Sequence, residues 1–356
     1  MNWPKTHDSD YIIAGPCSAE SRKQVLEVSN SLKAIGKVKA LRFGVWKPRT
    51  RPGAFEGIGS QALSWIQEAK ESTGLPVMVE VANVQHVKAC LDAKVDMVWL
   101  GARTTVNPFY VQEIADALKG NDIPVWIKNP MHPDIGLWQG AIERFHKVGI
   151  EKVGAIHRGF YSYDSRPFRN EPKWEIALDL RQKFPEIPIL VDPSHIAGKG
   201  SLIQEVCQTA LDLRMNGLMV EVHPEPKSAL SDAQQQITPD HFLKMLDLLV
   251  WRMPSTSDES FLKILEKKRE AIDSIDSNLV EILAKRFALV EEIGAYKKEH
   301  GVTILQLERW FKIMEMRKSQ GKSLGLSEEL IHELYQIIHK NSIRIQTQVM
   351  RKADEK

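Results

Sequence analysis

The chain has 356 residues, and its 48 Lys and Arg residues nearly balance 46 Asp and Glu residues, for a formal net charge of +2. This balance argues against a nucleic-acid or membrane partner recognised through bulk electrostatics. A hydrophobic content of 43% and the lack of any apolar run of transmembrane length are typical of a globular protein with one large domain or two. The first residues lack the apolar core of a signal peptide, and three cysteines suit a reducing compartment, so we expect a cytoplasmic protein.

From Tyr11 to about Trp251 one unit recurs, consisting of a short apolar strand, a loop and an amphipathic helix. The strands are rich in Val, Ile and Met rather than alternating, which is typical of parallel strands covered on both faces. Eight such units predict an α/β fold, a (β/α)8 TIM barrel over residues 1–252, with its chemistry at the C-terminal ends of the strands. An open, doubly wound sheet is the alternative. The predicted strands are Tyr11–Pro16, Ala40–Val45, Pro76–Val81, Met97–Ala102, Pro124–Asn129, Val153–Arg158, Pro188–Pro193 and Gly217–His223.

Four residues of metal-ligand type lie at the ends of neighbouring predicted strands. Cys17 follows the first strand, His195 follows the seventh, and Glu221 and Asp232 lie in and after the eighth. The first, seventh and eighth strands of a barrel are neighbours, so these side chains can converge on one divalent ion: Mn, Fe, Co or Zn. Taken singly, each residue is better explained by a structural role. Four compatible ligands on adjacent strand ends favour a metal site.

Basic residues also collect on or just past the ends of the predicted strands. They are Arg42, Lys47, Arg49, Arg103, Lys128 and Arg158. Pairing with a nearby carboxylate explains any single one of them, but the adjoining loops 101–105 and 157–160 contain no acid. Cations facing one cavity predict substrates with several negative charges, such as two phosphates and a carboxylate. The metal would then act as a Lewis acid on a carbonyl group.

The composition changes after residue 252. Residues 253–260 are small and polar and predict a linker, in which Ser257 or Asp258 caps the next helix. Apolar residues then recur with helical spacing from residue 261 to about 298. A helix of that span is about 55 Å long at 1.5 Å per residue. The two helices predicted to follow, Leu305–Ser319 and Ser327–Val349, are too short to bury its apolar stripe, so we expect an all-α domain over residues 261–356 that dimerises.

Seven short motifs, in order through the predicted barrel, resemble type I 3-deoxy-D-arabino-heptulosonate 7-phosphate (DAHP) synthase of the β subgroup. The motifs are Ala14–Ser18, Lys47–Thr50, Gly101–Arg103, Trp126–Pro130, His157–Phe160, Asp192–His195 and Glu221–Pro224. The resemblance implies condensation of phosphoenolpyruvate with erythrose 4-phosphate, at the entry to aromatic amino-acid biosynthesis. It implies the same metal ligands as above, with Lys47 and His195 as catalytic residues.

The resemblance also implies the residues that bind each substrate. Those for phosphoenolpyruvate are Arg42, Lys47, Arg103, Lys128 and Arg158, and those for erythrose 4-phosphate are Pro48, Arg49 and Thr50. Lys47 lies close in sequence to both sets, so we expect it to donate a proton to the forming alkoxide. An alternative within enzymes is 3-deoxy-D-manno-octulosonate 8-phosphate synthase, which shares the barrel and phosphoenolpyruvate. That family has Lys-Ala-Asn-Arg-Ser-Ser where this chain has Lys47-Pro48-Arg49-Thr50.

The helical domain resembles the all-helical class of chorismate mutase. The resemblance implies five substrate-binding residues, of which Arg286, Lys297 and Gln346 are also catalytic: Arg269, Arg286, Lys297, Arg309 and Gln346. At 100° per residue Arg286 and Lys297 lie about 20° apart on one apolar face, which is costly unless an anion meets both. Arg269 points about 100° away, as expected of a residue that reaches into a partner subunit's site.

Two departures from the mutase family predict a weak activity, because Trp310 stands where a glutamate is usual and Gln306 replaces an aspartate. Together the resemblances imply a bifunctional enzyme that uses phosphoenolpyruvate, erythrose 4-phosphate and chorismate. Covalent fusion of a downstream site to the first enzyme of a pathway further predicts that prephenate inhibits the barrel. The alternative is a helical domain that serves only for regulatory binding and dimerisation.

Overall fold

A computed structural model of the chain describes residues 3–5, 8–48, 53–164, 166–253 and 255–351. The chain divides into two compact units, Met1–Pro254 and Ser255–Lys356. No helix in these described segments is both long and apolar enough to cross a membrane.

The first unit contains a closed barrel of parallel strands in sequence order, which confirms the predicted fold class. The first strand pairs with the second on one side and with the eighth on the other, so the predicted ligands at their ends are neighbours. The strands are β1 Tyr11–Gly15, β2 Ala40–Phe43, β3 Val77–Val81, β4 Met97–Leu100, β5 Val125–Lys128, β6 Val153–His157, β7 Ile189–Val191 and β8 Gly217–Glu221.

Most strands are one or two residues shorter than predicted. Pro76, Pro124 and Pro188 each lie just before the first residue of a strand rather than in it. Proline has no backbone N–H to donate to a strand neighbour, so regular pairing begins one residue later. The carbonyl groups of these prolines still accept hydrogen bonds from adjacent strands, which keeps the register of the barrel.

Helices cover the outside of the barrel. Described in chain order, they are α1 Arg22–Ile35, α2 Ala62–Thr73, α3 Val84–Asp92, α4 Ala102–Thr105, α5 Pro108–Leu118, α6 Ile135–Lys147, α7 Trp174–Lys183, α8 Pro193–Ala197, α9 Ile203–Asp212 and α10 Pro239–Leu248. One apolar core fills the layer between strands and helices, and a second fills the barrel interior around Trp99 and Trp126. The interior is therefore packed with apolar side chains, and polar groups are left to the strand ends.

The second unit consists of three helices in the described residues: α11 Glu259–Glu299, α12 Leu307–Ser323 and α13 Glu328–Arg351. Asp258 caps α11, since its side chain accepts hydrogen bonds from the backbone N–H groups of Ser260 and Phe261. This cap is one of the two that the linker sequence predicts. Helix α11 packs mainly on α13, and α12 also packs on α13. Large apolar side chains along α11 remain exposed, including Ile275 at 65% and Ile282 at 61%.

Candidate functional sites

A cavity of about 330 Å³ opens at the C-terminal ends of the barrel strands. All the predicted cations that the structure describes line this cavity: Arg42, Lys47, Arg103, Lys128 and Arg158. Pro48, His195 and Asp232 line it as well. Two further predicted residues, Arg49 and Thr50, lie outside the described part of the chain.

Three of the four predicted metal ligands form a compact group beside the cavity. One ligand atom each from Cys17, Glu221 and Asp232 lies within 4.8 Å of the other two. Cys17 Sγ is 3.4 Å from Asp232 Oδ2, and Cys17 and Glu221 are fully buried. Glu221 Oε1 accepts no hydrogen bond from any described residue, although it is buried. Arg42 lies 3.2 Å from this oxygen and compensates part of its charge, and a bound divalent ion would give the oxygen the direct partner that it lacks.

His195 lies next to this group rather than within it, as far as the described residues show. Its Nδ1 atom is 3.8 Å from Glu221 Oε1 and 2.8 Å from Asp192 Oδ2. Asp192 also caps the short helix α8 by accepting from the backbone N–H of His195. Asp192, which caps the helix that contains His195, thus holds the imidazole beside the carboxylate of Glu221.

Local contacts position the backbone of the other candidate ligands. The backbone N–H of Cys17 donates to Gln236 Oε1 at 2.9 Å, which joins the end of β1 to the loop after β8. The backbone N–H of Glu221 donates to Ser194 Oγ at 2.9 Å, which joins β8 to α8. These two bonds tie together the three strand ends on which the candidate ligands lie.

Burial and neighbouring charge set the protonation of the group. Burial, reinforced by the charge of Glu221, raises the pKa of the Cys17 thiol to about 12. Burial also acts to raise the pKa of Glu221, but the interactions with His195 and Arg42 lower it overall. The carboxylate is therefore ionised while the thiol keeps its proton. A divalent ion would displace that proton on binding, because a thiolate is the form that coordinates metals.

Asp192 is a central site residue that the sequence reasoning did not single out. It is fully buried at the end of β7. Its Oδ2 atom lies 2.6 Å from Lys128 Nζ, 2.8 Å from His195 Nδ1 and 3.9 Å from an Arg42 nitrogen. Burial alone would raise the pKa of Asp192, but the neighbouring His195, Lys128 and Arg42 hold it well below the usual range. A polar residue directly after an apolar strand was the available signal.

Some basic residues of the cavity have acidic neighbours that are distant in the sequence. Arg42 also lies 3.2 Å from Glu221 Oε1, and Lys47 lies 3.7 Å from Glu80 on β3. The acids beside Arg42 and Lys47 therefore lie on other strands rather than on their own loops. Arg158 is positioned by amides instead: it donates to Asn170 Oδ1 at 2.9 Å, and its backbone N–H donates to Asn129. Burial lowers the pKa of the Arg158 guanidinium to about 10.

Three of the five predicted mutase residues are at least partly buried on α11 and α13 of the helical unit. Arg286 donates to Ser342 Oγ at 3.0 Å, and Lys297 donates to the carbonyl of Ile304 at 2.6 Å. Gln346 packs against Gly294 and is 9% exposed. Its buried Oε1 atom accepts no hydrogen bond from the residues that the structure describes. Arg286 and Gln346 thus place polar groups at the contact between α11 and α13.

The other two predicted mutase residues, Arg269 and Arg309, are both exposed. Arg269 lies 3.7 Å from Glu266 on the same helix. Because it is 17 positions before Arg286, it lies about 25 Å away along α11 at 1.5 Å per residue. Trp310 stacks on His339 with ring centroids 3.9 Å apart, so α12 and α13 meet where the mutase family usually has a glutamate.

Comparison with known proteins gives two sequence families. Residues 5–257 match the profile of the DAHP synthetase I family. Residues 268–347 match the profile of chorismate mutase type II.

Among curated relatives, a phospho-2-dehydro-3-deoxyheptonate aldolase of Thermotoga maritima is 32% identical over 253 residues, which are 71% of each chain. A 2-dehydro-3-deoxyphosphooctonate aldolase of Rhodopseudomonas palustris (strain BisB5) is 26% identical and covers 67% of this chain and 86% of that one. Among solved structures, phospho-2-dehydro-3-deoxyheptonate aldolase (DAHP synthase) of Thermotoga maritima aligns with a TM-score of 0.60, 31% identity and 67% of each chain. A truncated form of 3-deoxy-D-arabino-heptulosonate 7-phosphate synthase from the same organism aligns with a TM-score of 0.58, 28% identity, and 67% of this chain and 84% of that one.

Proposed function

Because the chain belongs to the DAHP synthetase I family and also carries a chorismate mutase type II domain, we propose that its barrel condenses phosphoenolpyruvate with erythrose 4-phosphate in a metal-dependent reaction. The two families together support a bifunctional enzyme of the shikimate pathway, a transferase and an isomerase in one chain. The observation that carries the proposal is the group of Cys17, Glu221 and Asp232 beside a cavity lined with cations.

The proposed metal site consists of Cys17, His195, Glu221 and Asp232. Their thiolate, imidazole and carboxylate groups suit one divalent ion, Mn, Fe, Co or Zn, and Glu221 Oε1, which accepts no hydrogen bond from the described residues, fits such an ion. A bound ion supplies Lewis acidity toward the aldehyde carbonyl of erythrose 4-phosphate.

The proposed phosphoenolpyruvate site consists of the cations that line the cavity. Arg158 and Arg103 suit the phosphate, since a guanidinium presents a planar fork of donors that matches an anion. Arg42 and Lys128 are held in place by Asp192, so they require little reordering when substrate enters. We propose that the residues directly after Lys47 in the sequence hold erythrose 4-phosphate, namely Pro48, Arg49 and Thr50.

Lys47 is the proposed proton donor. Burial acts to lower the pKa of Lys47, but its interactions with Cys17 and Glu80 raise it overall, so the ammonium keeps its proton at neutral pH. Its Nζ atom lies 3.2 Å from the carbonyl oxygen of Cys17, close to the proposed metal ligands. In the reaction C3 of phosphoenolpyruvate attacks the aldehyde carbon, and Lys47 gives its proton to the aldehyde oxygen. Water then adds to the cation left at C2 and loses a proton, and the C2–O bond to phosphate breaks, which releases phosphate and leaves a ketone at C2.

For the helical unit we propose the rearrangement of chorismate to prephenate. Arg286 and Lys297 would hold the dicarboxylate in its folded form, and Lys297 and Gln346 would stabilise charge on the ether oxygen. Arg309 would bind substrate from the same chain. Because Arg269 lies about 25 Å from Arg286 along the helix, we propose that it serves the site of a second copy in a homodimer.

The similarity to 2-dehydro-3-deoxyphosphooctonate aldolases supports a second candidate activity for the barrel, 3-deoxy-D-manno-octulosonate 8-phosphate synthesis. The test is phosphoenolpyruvate consumption by metal-loaded protein, with erythrose 4-phosphate and arabinose 5-phosphate compared. We expect rapid loss with erythrose 4-phosphate alone. Faster loss with arabinose 5-phosphate would overturn the assignment.

We further propose that the enzyme is cytoplasmic and that prephenate bound to the helical unit inhibits the barrel. In the full chain, Arg286→Ala removes a proposed ligand for the effector and should abolish inhibition by prephenate without changing uninhibited synthase activity. Glu281→Ala, an exposed change five residues earlier on the same helix, is the control. Inhibition that survives Arg286→Ala unchanged would contradict this proposal.

A further inference from the structure

The loop after β8 contains a buried glutamine, Gln235, that contacts the candidate metal group without belonging to it. The side chain is 1% exposed. Its Nε2 atom donates to Glu221 Oε2 at 2.6 Å, and its Oε1 atom accepts from Arg169. Because one partner is a carboxylate and the other a guanidinium, only this orientation of the amide satisfies both.

The same guanidinium reaches the second carboxylate of the group. Arg169 donates to Asp232 Oδ1 at 3.0 Å while it also donates to Gln235. The chain of contacts therefore runs from Glu221 through Gln235 and Arg169 to Asp232. It ties down one oxygen of each candidate carboxylate ligand.

The remaining oxygens of the two carboxylates are the ones that face the candidate ion. Asp232 Oδ2 lies 3.4 Å from Cys17 Sγ, whereas Oδ1 is held by Arg169. Glu221 Oε1 accepts no hydrogen bond from the described residues, although Arg42 lies 3.2 Å away, whereas Oε2 is held by Gln235. On both side chains, one oxygen is thus held by a hydrogen bond and the other is left for the proposed ion.

From this arrangement we propose that Gln235 is a positioning residue for the metal site, which sets the orientation of Glu221 and, through Arg169, of Asp232. The inference rests on the proposed metal-dependent function and deepens it. Partners that hold a ligand from outside the coordination shell orient it and are worth roughly 10- to 100-fold in metal affinity. An amide suits this position because it donates to one carboxylate and adds no charge beside either.

The test is the dissociation constant for Co²⁺, measured from the thiolate-to-cobalt absorption that Cys17 gives, on full-length protein stripped of metal. Gln235→Met keeps the length of the side chain but removes the donor, and Gln235→Glu places a carboxylate against Glu221. Both should weaken Co²⁺ binding by about tenfold or more. Gln234 is exposed, so Gln234→Met and Gln234→Glu are matched controls that should bind like the parent protein.

A loss smaller than about tenfold in Gln235→Met would overturn the proposal, even if Gln235→Glu binds weakly, since added charge alone would then explain the effect. Thermal unfolding of the metal-free variants shows whether each one folds. If Gln235→Met does not, the uncharged Gln235→Leu, compared with Gln234→Leu, decides by the same tenfold criterion. Failure of the proposed metal site itself gives a different result. The parent protein would then have no thiolate-to-cobalt absorption that depends on Cys17, so Cys17→Ser would remove nothing.

Discussion

The barrel and the helical unit differ in how much of each candidate site a single chain builds. In the barrel, Arg42 and Glu221 are fully buried and Lys128 is 5% exposed, and each pairs with a charge from another strand. In the helical unit, Arg269 and Arg309 are exposed, and so is much of the apolar surface of α11. The candidate site of the barrel is enclosed by residues of a single chain, whereas the candidate site of the helical unit has residues that remain exposed to solvent.

Element length explains this difference. Parallel strands in a closed barrel are covered by the helices that connect them, so every strand finds its neighbours within the chain. Helix α11 has 41 residues, whereas α12 has 17 and α13 has 24. At 1.5 Å per residue α11 is about 61 Å long and α13 only about 36 Å, so part of the apolar stripe stays uncovered. We therefore expect the synthase reaction to need one chain and the mutase reaction two.

Replacing the proposed proton donor gives the largest expected effect and tests whether the barrel site works as a closed unit. Lys47→Met should lower kcat by about 10²- to 10⁴-fold, the usual range for a general acid. The measurement is phosphoenolpyruvate consumption at saturating substrates. A mutase assay on the same sample shows whether the helical unit is still active. Lys39→Met, which changes an exposed lysine at the other end of β2, is the control. A Lys47 variant with the parent kcat would remove Lys47 from the proposed chemistry.

Removing a buried anion tests whether charge compensation holds the barrel site together. Asp192→Asn leaves Lys128 and Arg42 buried without their shared carboxylate, and breaking a buried ion pair in this way costs about 3 to 5 kcal/mol. Denaturant unfolding should show that loss in the barrel transition. Asp179→Asn, at an exposed position on α7, should unfold like the parent protein. Equal stability of the Asp192 variant would mean that the cations find other partners.

Disrupting the exposed face of α11 tests whether the helical unit needs a second chain. Ile275→Lys places a charge on the apolar stripe and should weaken the proposed dimer by about 2 kcal/mol or more, roughly 30-fold in Kd. Sedimentation at several concentrations measures the Kd, and we expect mutase activity to fall with dimer content while synthase activity persists. Ser277→Lys, on the opposite face of the helix, controls for the added charge. A dimer unaffected by Ile275→Lys would place the interface elsewhere.

Much of the fold could be predicted because it follows from local periodicity. The repeated strand–loop–helix pattern specifies a barrel, and Asp258 follows the ordinary rule for a helix cap. The strand ends were less accurate, since Pro76 and similar residues look apolar but cannot donate to the ladder. The predicted cations do meet around one cavity, because strand order in a closed barrel places their strand ends on one rim.

The fold class, the two family resemblances and the chemical types of the candidate ligands follow from the sequence alone, because they depend on residues close together in the chain. The tertiary structure was needed to show that Asp192 joins Lys128, His195 and Arg42, and that Gln235 reaches Glu221. Lys128 and Asp192 are 64 residues apart, and they meet only because closing the barrel brings their strand ends together. Contacts of that kind depend on register and side-chain direction across several strands, which no local pattern of residues encodes.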